Sequence, residues 1–325
     1  MKKIISLALV LTLVCALFAG CSQNKPYPSG DIQFYVSADA GGGTDSICRK
    51  ITQIIEDGSD ATFYLVNKPG VMDAVAPSLV MDAKADGYTI GNINYGGVVN
   101  AEYQQVVNNY KIDRLKFVAL VTEESDAVMI SKNAPFTTFE EMIEYAKANP
   151  GKVRIADQGI GSRVYLLILK MEEVFGVEFN KISYSSSAPQ REAMLNGEVD
   201  AAVTSLGDFA ALLESGDAIG VCEFSSTRNL AYSDVPTCLE LGMTEEMLSG
   251  SFLAITVPAE TPDEVVSYLE GVFKTAVESQ EFIDWTATVG ITAHYMNSAE
   301  LTEFVKNLQE KDFKALDELK AQGLI

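Results

Sequence analysis

The 325-residue chain has one histidine, His294, so no Ser/His or Cys/His pair can be built around a second one. His294 also lies outside both glycine-rich loops described below and is read as structural. Of five cysteines, Cys15 and Cys21 belong to the amino terminus, leaving Cys48, Cys222 and Cys238. These three have no metal-ligand spacing and cannot all pair with one another; they are read as buried thiols, with one disulfide as the alternative. With no His/Cys cluster, a metal would rest on scattered carboxylates, and no metal site is assigned. The phosphate loop Gly-x-x-x-x-Gly-Lys-Ser/Thr is missing, and so is the Gly-x-Gly-x-x-Gly of dinucleotide sites, so no cofactor is expected. Gly159–Ile160–Gly161–Ser162 lacks the glycine after serine that a nucleophile elbow requires. Basic residues are scarce, 24 against 45 acids, giving a net charge of −21. That balance argues against a nucleic-acid partner, whose phosphates need a basic surface.

Long apolar runs are also missing, except at the start. Lys2 and Lys3 precede an apolar stretch from Ile4 to Phe18, then Ala19, Gly20 and Cys21. About 15 apolar residues fall short of the roughly 20 that span a bilayer. Charge, apolar core and small-residue cleavage site together make an export signal. The cysteine after Leu17–Phe18–Ala19–Gly20 resembles a bacterial lipobox, with Phe18 where leucine is usual. Residues 1–20 are thus read as a lipoprotein signal peptide, Cys21 as the lipidated residue, and residues 21–30 as a polar tether. The alternative is a plain secreted protein. Without residues 1–20 the net charge falls to −23, most simply a solvated surface that favours solubility.

The most informative stretch is Ala38–Asp39–Ala40–Gly41–Gly42–Gly43–Thr44–Asp45, between a short apolar strand (Phe34, Tyr35, Val36) and an amphipathic run. Glycines let a ligand approach the backbone closely. The first N–H groups of the following helix have no intrahelical partners and lie at the positive end of its dipole. Such a mouth suits a carboxylate or phosphate. A second mouth follows at Ile155–Ala156–Asp157–Gln158–Gly159–Ile160–Gly161–Ser162. Two mouths in two halves suggest a ligand clamped between lobes.

Strand and helix patterns alternate along the chain, as in an α/β architecture with mainly parallel sheets. Strands are predicted at 33–37, 62–66, 89–93, 117–122, 127–131, 153–156, 181–184, 201–204, 218–223 and 251–257. Helices are predicted at 45–56, 73–83, 163–175 and 189–195. Another begins at the capping box Thr138/Glu141, one at Pro262 with a box around Thr261 and Glu264, and a last at Asn297 with Glu300. The polar Glu123–Glu124–Ser125–Asp126 is read as a break between two strands, near a hinge.

At this point the chain resembles the substrate-binding proteins of tripartite tricarboxylate transporters, the TctC or Bug family. The resemblance rests on motifs in the family's order. They include Gly41–Gly42–Gly43–Thr44–Asp45 with Arg49, Asn67–Lys68–Pro69–Gly70, Asp86–Gly87–Tyr88–Thr89–Ile90 and Asn149–Pro150–Gly151–Lys152. Gly159–Ile160–Gly161–Ser162, Tyr184–Ser185–Ser186–Ser187–Ala188–Pro189, Leu195–Asn196–Gly197–Glu198–Val199–Asp200 and Val235–Pro236–Thr237 follow. The resemblance implies a two-lobe flytrap fold with two crossovers. Lobe 1 is expected at 31–122 and 252–325 and lobe 2 at 123–251. The implied ligand loops are Ala38–Asp45, with Ala38, Asp39, Ala40, Gly41, Gly42, Thr44 and Asp45, and Gln158–Arg163, with Gln158, Gly161, Ser162 and Arg163. Tyr184, Ser187, Ala188 and Asp208 are further cleft wall. Ser37 and Ala38 replace the family's usual proline and aromatic residue, enlarging the pocket. Asp39 reads either as a solvent-facing loop residue or as a ligand-facing carboxylate that favours an amino or hydroxy acid. Arg163 reads either as a surface residue of the first helical turn or as a guanidinium that forks onto a carboxylate, and Arg49 as a structural residue that packs or pairs with neighbouring acids.

The implied protein is an extracytoplasmic, lipid-anchored, monomeric receptor, not an enzyme, that delivers a small carboxylate to membrane permease subunits. Two alternatives stay open: a secreted hydrolase or lyase acting on a small carboxylate, and a ligand-sensing partner of a membrane sensor kinase.

Overall fold

A computed structural model describes residues 27–184 and 186–325. The export signal, Cys21 and most of the tether lie outside the described residues. Strand β1 (Ile32–Val36) buries Ile32, Phe34 and Val36 on one face, the period of two that its sequence carries. It pairs in parallel with β2 (Phe63–Asn67) and β3 (Thr89–Asn94). Helix α1 (Gly43–Gly58) joins β1 to β2, and the short α2 (Val75–Met81) leads to β3. Gly87 turns the chain into β3 at φ +82°; a Cβ there would collide with Val265 and lie 3.0 Å from Tyr27. Two single-turn helices, α3 (Tyr95–Val98) and α4 (Asn100–Tyr103), follow.

Strand β4 runs unbroken from Leu115 to Ser131. This corrects the expected break at Glu123–Asp126. The polar residues stay extended because each side of the strand finds partners. Through Ser125 it pairs with β9 (Gly250–Pro258), and from Asp126 onward with β7 (Ala201–Ser205). One strand therefore serves two sheets. The first has the order β2-β1-β3-β9-β4, with β10 (Thr292–Met296) also on β4. The second contains β8 (Ala218–Glu223), β4, β7, β5 (Arg154–Asp157) and β6 (Asn180–Ser183). The chain crosses once inside β4 and returns between β8 and β9. The crossings touch backbone to backbone: a Cβ on Gly250 would stand 2.7 Å from the Glu124 carbonyl oxygen.

Each sheet is covered on both faces. Over the first, α1 and α9 (Asp263–Val277) bury Ile47, Ile51, Leu269 and Phe273 against β1 and β4. Its other face takes α2, α3 and α11 (Ser298–Ala321). In the second, α5 (Phe139–Ala148) and α6 (Arg163–Phe175) pack on one side. Helices α7 (Ser187–Leu195) and α8 (Ala210–Ser215) pack on the other. Helix α10 (Gln280–Thr288) and β10 were not anticipated.

Capping differs in detail. Asn297 and Glu300 form the expected box. At α5, Thr138 caps Glu141 N–H, but the Glu141 carboxylate accepts from Thr137 instead. No box forms at Thr261: Pro262 is itself the N-cap, and the buried Thr261 hydroxyl has no partner among the described residues. The predicted helix 73–83 shrinks to α2, because Met72 and Asp73 take positive φ.

Candidate functional site

The first mouth starts where β1 ends. Ser37 is buried, its N–H donating to Asn92 Oδ1 at 2.8 Å and its Oγ accepting from Asn92 Nδ2 at 2.8 Å. Asn94 Nδ2 lies 3.4 Å from the same Oγ and 3.3 Å from Asp73 Oδ2. Ala38 packs on the core between the first sheet and helices α1 and α9, while Asp39, Ala40 and Gly41 are exposed. Asp39 contributes its carbonyl, which accepts from Gly42 N–H at 3.1 Å. Gly41 needs its φ of +83° to make this turn.

The Asp45 side chain is turned into the loop. Its carboxylate is buried and accepts from Gly41 N–H, Arg49 Nε and Asn67 Nδ2, each at 2.8 Å. Burial raises its pKa, but those donors outweigh it and hold the group below the usual carboxylate range. Asp45 thus fastens the loop from inside, and Arg49 is its structural partner, as its position suggested. The backbone N–H groups of Gly43, Thr44 and Asp45 open α1 with no side-chain cap. These are the donors that the mouth presents.

The second mouth is built alike. Asp157 Oδ1 accepts from Gly159 N–H at 2.6 Å and Ser183 Oγ at 2.7 Å. Gly159 and Gly161 take φ of +103° and +82°. Gly161 packs against α11, where a Cβ would lie 3.3 Å from Leu316. Ser162 caps its own helix, accepting from Tyr165 N–H, so Arg163 and Val164 supply the remaining backbone donors.

Arg163 does not offer its fork to the cleft. Nε and Nη2 donate to the two oxygens of Asp126 at 2.8 and 2.7 Å. Asp126 also accepts from Ser249 Oγ at 2.7 Å, and its backbone N–H donates to the Ser249 carbonyl. One buried carboxylate therefore joins α6, β4 and the return crossing. Burial opposes the guanidinium's charge, but Asp126 outweighs it and keeps the pKa above the usual arginine range.

Side chains from the two sheets meet along a seam. The Arg163 guanidinium stands 5.6 Å over the ring of Tyr95. Tyr95 directly follows Asn94, which reaches Ser37 at the root of the first loop. Its hydroxyl donates to Asp312 of α11 at 2.6 Å. Across the seam, Gln158 Nε2 donates to Thr204 Oγ1 at 3.3 Å, and Thr204 donates to Asp208 at 2.6 Å. Arg191 Nη1 donates to the Asp208 carbonyl at 2.6 Å and lies 3.5 Å from Ser187 Oγ. Ala188 is exposed beside it. Tyr184 is partly buried and packs with Ile182 against the core between the second sheet and α7 and α8.

Three acids around the seam, Glu124, Asp73 and Asp312, are held above the usual carboxylate range, each chiefly by burial. A depression of about 310 Å³ lies along β6 beside Ile160 and Tyr165. Another of about 710 Å³ lies beside the start of α11, lined by Glu270, Glu303, Lys306 and Glu310. Cys48, Cys222 and Cys238 are buried and free. Burial pushes all three thiols up, Cys238 to about 11.

Sequence reasoning missed Asn92, Asn94, Tyr95, Asp126, Thr204 and Arg191. Asn94 and Thr204 lie at or next to the C-terminal ends of β3 and β7, where ligands of open α/β sheets gather. That is the signal that could have found them.

Residues 47–320 match the sequence profile of the tripartite tricarboxylate transporter family receptor, TctC. The chain belongs to this family. A UPF0065 protein of Bordetella pertussis is 26% identical over 99% of both chains. The crystal structure of a TctC solute binding protein from Polaromonas has 23% identity and a TM-score of 0.80, covering 90% of this chain and all of that one. MatC from Rhodopseudomonas palustris, solved with bound malate, has 22% identity and a TM-score of 0.67. It covers 89% of this chain and 99% of its own. The fold is that of the two-lobe periplasmic solute-binding proteins, and this TctC receptor is a solute-binding protein. Among the described residues no helix is long and apolar enough to cross a membrane, and no cluster of three metal-ligating side chains occurs.

Proposed function

We propose that this receptor captures a small carboxylate between lobe 1 (residues 31–122 and 252–325) and lobe 2 (123–251), and delivers it to the permease of a tripartite tricarboxylate transporter. The observation that carries the reading is the seam itself. Two uncapped or self-capped helix starts, at Gly43–Asp45 and Arg163–Val164, follow strands of different sheets; Arg163 stands over Tyr95, and the neighbouring Asn94 reaches Ser37 at the root of the first loop. Each mouth supplies about 0.3–1 kcal/mol toward an anion, rising to about 2 when partly buried. Micromolar affinity needs about 8 kcal/mol. The difference comes from side chains such as Arg191, ordered waters and the expulsion of solvent as the lobes close. The malate of MatC has the size and charge this reading requires. Cys21 carries a lipid that holds the monomeric receptor at the outer face of the membrane.

A thermal-shift and calorimetric screen of residues 21–325 against mono-, di- and tricarboxylates tests the reading. One acid should raise the melting temperature and bind at one site per chain. The acid should be recovered unchanged by mass spectrometry. Consumption of the acid would establish the hydrolase or lyase instead, and binding of none would end the proposal. Cys21→Ser should shift the receptor from the membrane fraction to the soluble one.

A further inference from the structure

Helix α7 carries a side chain that nothing above accounts for. Gln190 is 0% exposed, and neither the oxygen nor the nitrogen of its amide has a hydrogen-bond partner among the described residues. A primary amide has two N–H donors and one carbonyl acceptor. Burying both ends unpaired is costly, so a partner belongs there.

The helix's packing shows where that amide sits. One turn later, Ala193 and Met194 pack with Ala156 and Ala202. Ala156, Ala202 and Ile182 stand side by side across β5, β7 and β6. Side chains alternate along a strand, so the next residues on that face toward the strand ends are Gln158, Thr204 and Tyr184. Helix α7 runs back along the sheet from the end of β6 to the start of β7. Gln190, three residues before Ala193, therefore lies over the row that holds Gln158 and Thr204. That row leads to Asp208 through the bond from Thr204 at 2.6 Å.

We infer that Gln190 and Asp208 form a subsite for a hydrogen-bond-donating substituent, a hydroxyl or an ammonium, on the bound carboxylate. The inference rests on the proposed function. A carboxylate oxygen could accept from the Gln190 N–H groups but could not satisfy its carbonyl, and Asp208 would repel it. A hydrocarbon would satisfy neither. A hydroxyl can donate to the Gln190 carbonyl or to Asp208 while its oxygen accepts from the Gln190 N–H, and an ammonium can donate to the Gln190 carbonyl and the Asp208 carboxylate together. The lobe-2 side of the seam thus selects among acids of the same length.

Calorimetry with matched acids tests this: succinate, malate and aspartate, then propionate, lactate and alanine. In the wild type, a hydroxy or amino acid should bind at least about tenfold more tightly than its unsubstituted partner, since a site built for a donor is left unpaired without it. Malate against aspartate distinguishes hydroxyl from ammonium. Gln190→Leu should reduce the preference to less than about threefold and raise the melting temperature of the ligand-free protein, because the buried unpaired amide is gone. Gln190→Met serves as a second variant should leucine misfold. Equal binding of unsubstituted acids by the wild type would overturn the inference while leaving carboxylate capture intact. A preference that survives in both variants would also overturn it, and would make the amide's partner a buried water. Failure of every acid in both series to bind the wild type would overturn the carboxylate reading and the subsite with it.

Discussion

Removing Arg163 should damage the fold of this receptor more than its recognition of ligand. The Asp126 carboxylate that faces it has no exposed side-chain surface, whereas the Arg163 side chain is 18% exposed. Arg163→Met leaves Asp126 charged, buried and held by Ser249 Oγ and little else. Breaking a buried pair in this way costs about 3–5 kcal/mol. At about 2.1 cal/mol/K per residue over roughly 300 residues, the unfolding entropy is near 0.6 kcal/mol/K. A loss of 4 kcal/mol then lowers the melting temperature by roughly 6 °C if the lobes unfold together. Asp126→Asn keeps the shape and removes the charge. The double variant Asp126→Asn/Arg163→Met should be more stable than Arg163→Met alone, since the buried charge is then gone. The four proteins form a double-mutant cycle, read by calorimetry and urea unfolding, with an expected coupling of about 2–3 kcal/mol. Ligand affinity of the double variant should stay within about threefold of wild type, a change below about 0.7 kcal/mol. An Arg163→Met variant destabilised by less than about 1 kcal/mol, or strictly additive losses, would refute the reasoning. A large affinity loss in a stable double variant would return Arg163 to the ligand.

Three further outcomes follow from the geometry. Gly42→Asp places a carboxylate at the N-cap of α1, among the free N–H groups of Gly43 to Asp45. It should leave the melting temperature near wild type, since aspartate is a good N-cap, yet weaken carboxylate binding by at least about tenfold, or 1.4 kcal/mol; retained affinity would place the anion elsewhere. Gly87→Ala demands φ of +82° from an alanine and drives its Cβ into Val265. A loss of about 2–4 kcal/mol in urea unfolding is expected from strain and overpacking combined. His294 Nδ1 lies 2.6 Å from Glu123 Oε2, and this bond raises the imidazole pKa above 6.5. The folded state therefore binds the proton more tightly than the unfolded chain. Its stabilisation is complete below about pH 6.5 and is lost as pH rises through the raised value. Glu123→Gln should flatten that part of the melting-temperature profile.

Much of the fold was legible because its signals are local. The run Arg163–Phe175 alternates with helical period and begins and ends at the predicted residues, Ser162 capping it and Gly176 closing it. Both glycine mouths were readable for the same reason: a strand end, positive-φ glycines and a helix start lie within ten residues of each other. The strand around Glu123–Asp126 was not readable, because polar residues in a strand declare themselves only through their partners. There, β9 and β7 arrive from more than 70 residues away to complete β4.

By itself, the sequence determined that this chain alternates strands and helices, that two glycine loops run into helix starts, and that histidine pairs and zinc spacings are not available. Tertiary structure alone decided which charged groups remain free at those helix starts. Asp45 is spent on Gly41, Arg49 and Asn67, and Arg163 on Asp126, while the buried Gln190 amide has no partner among the described residues. The reason is physical. A helix start is made by neighbours in the chain, whereas the partner of a buried charge is whatever the packing brings within 3 Å, and sequence distance does not limit that choice.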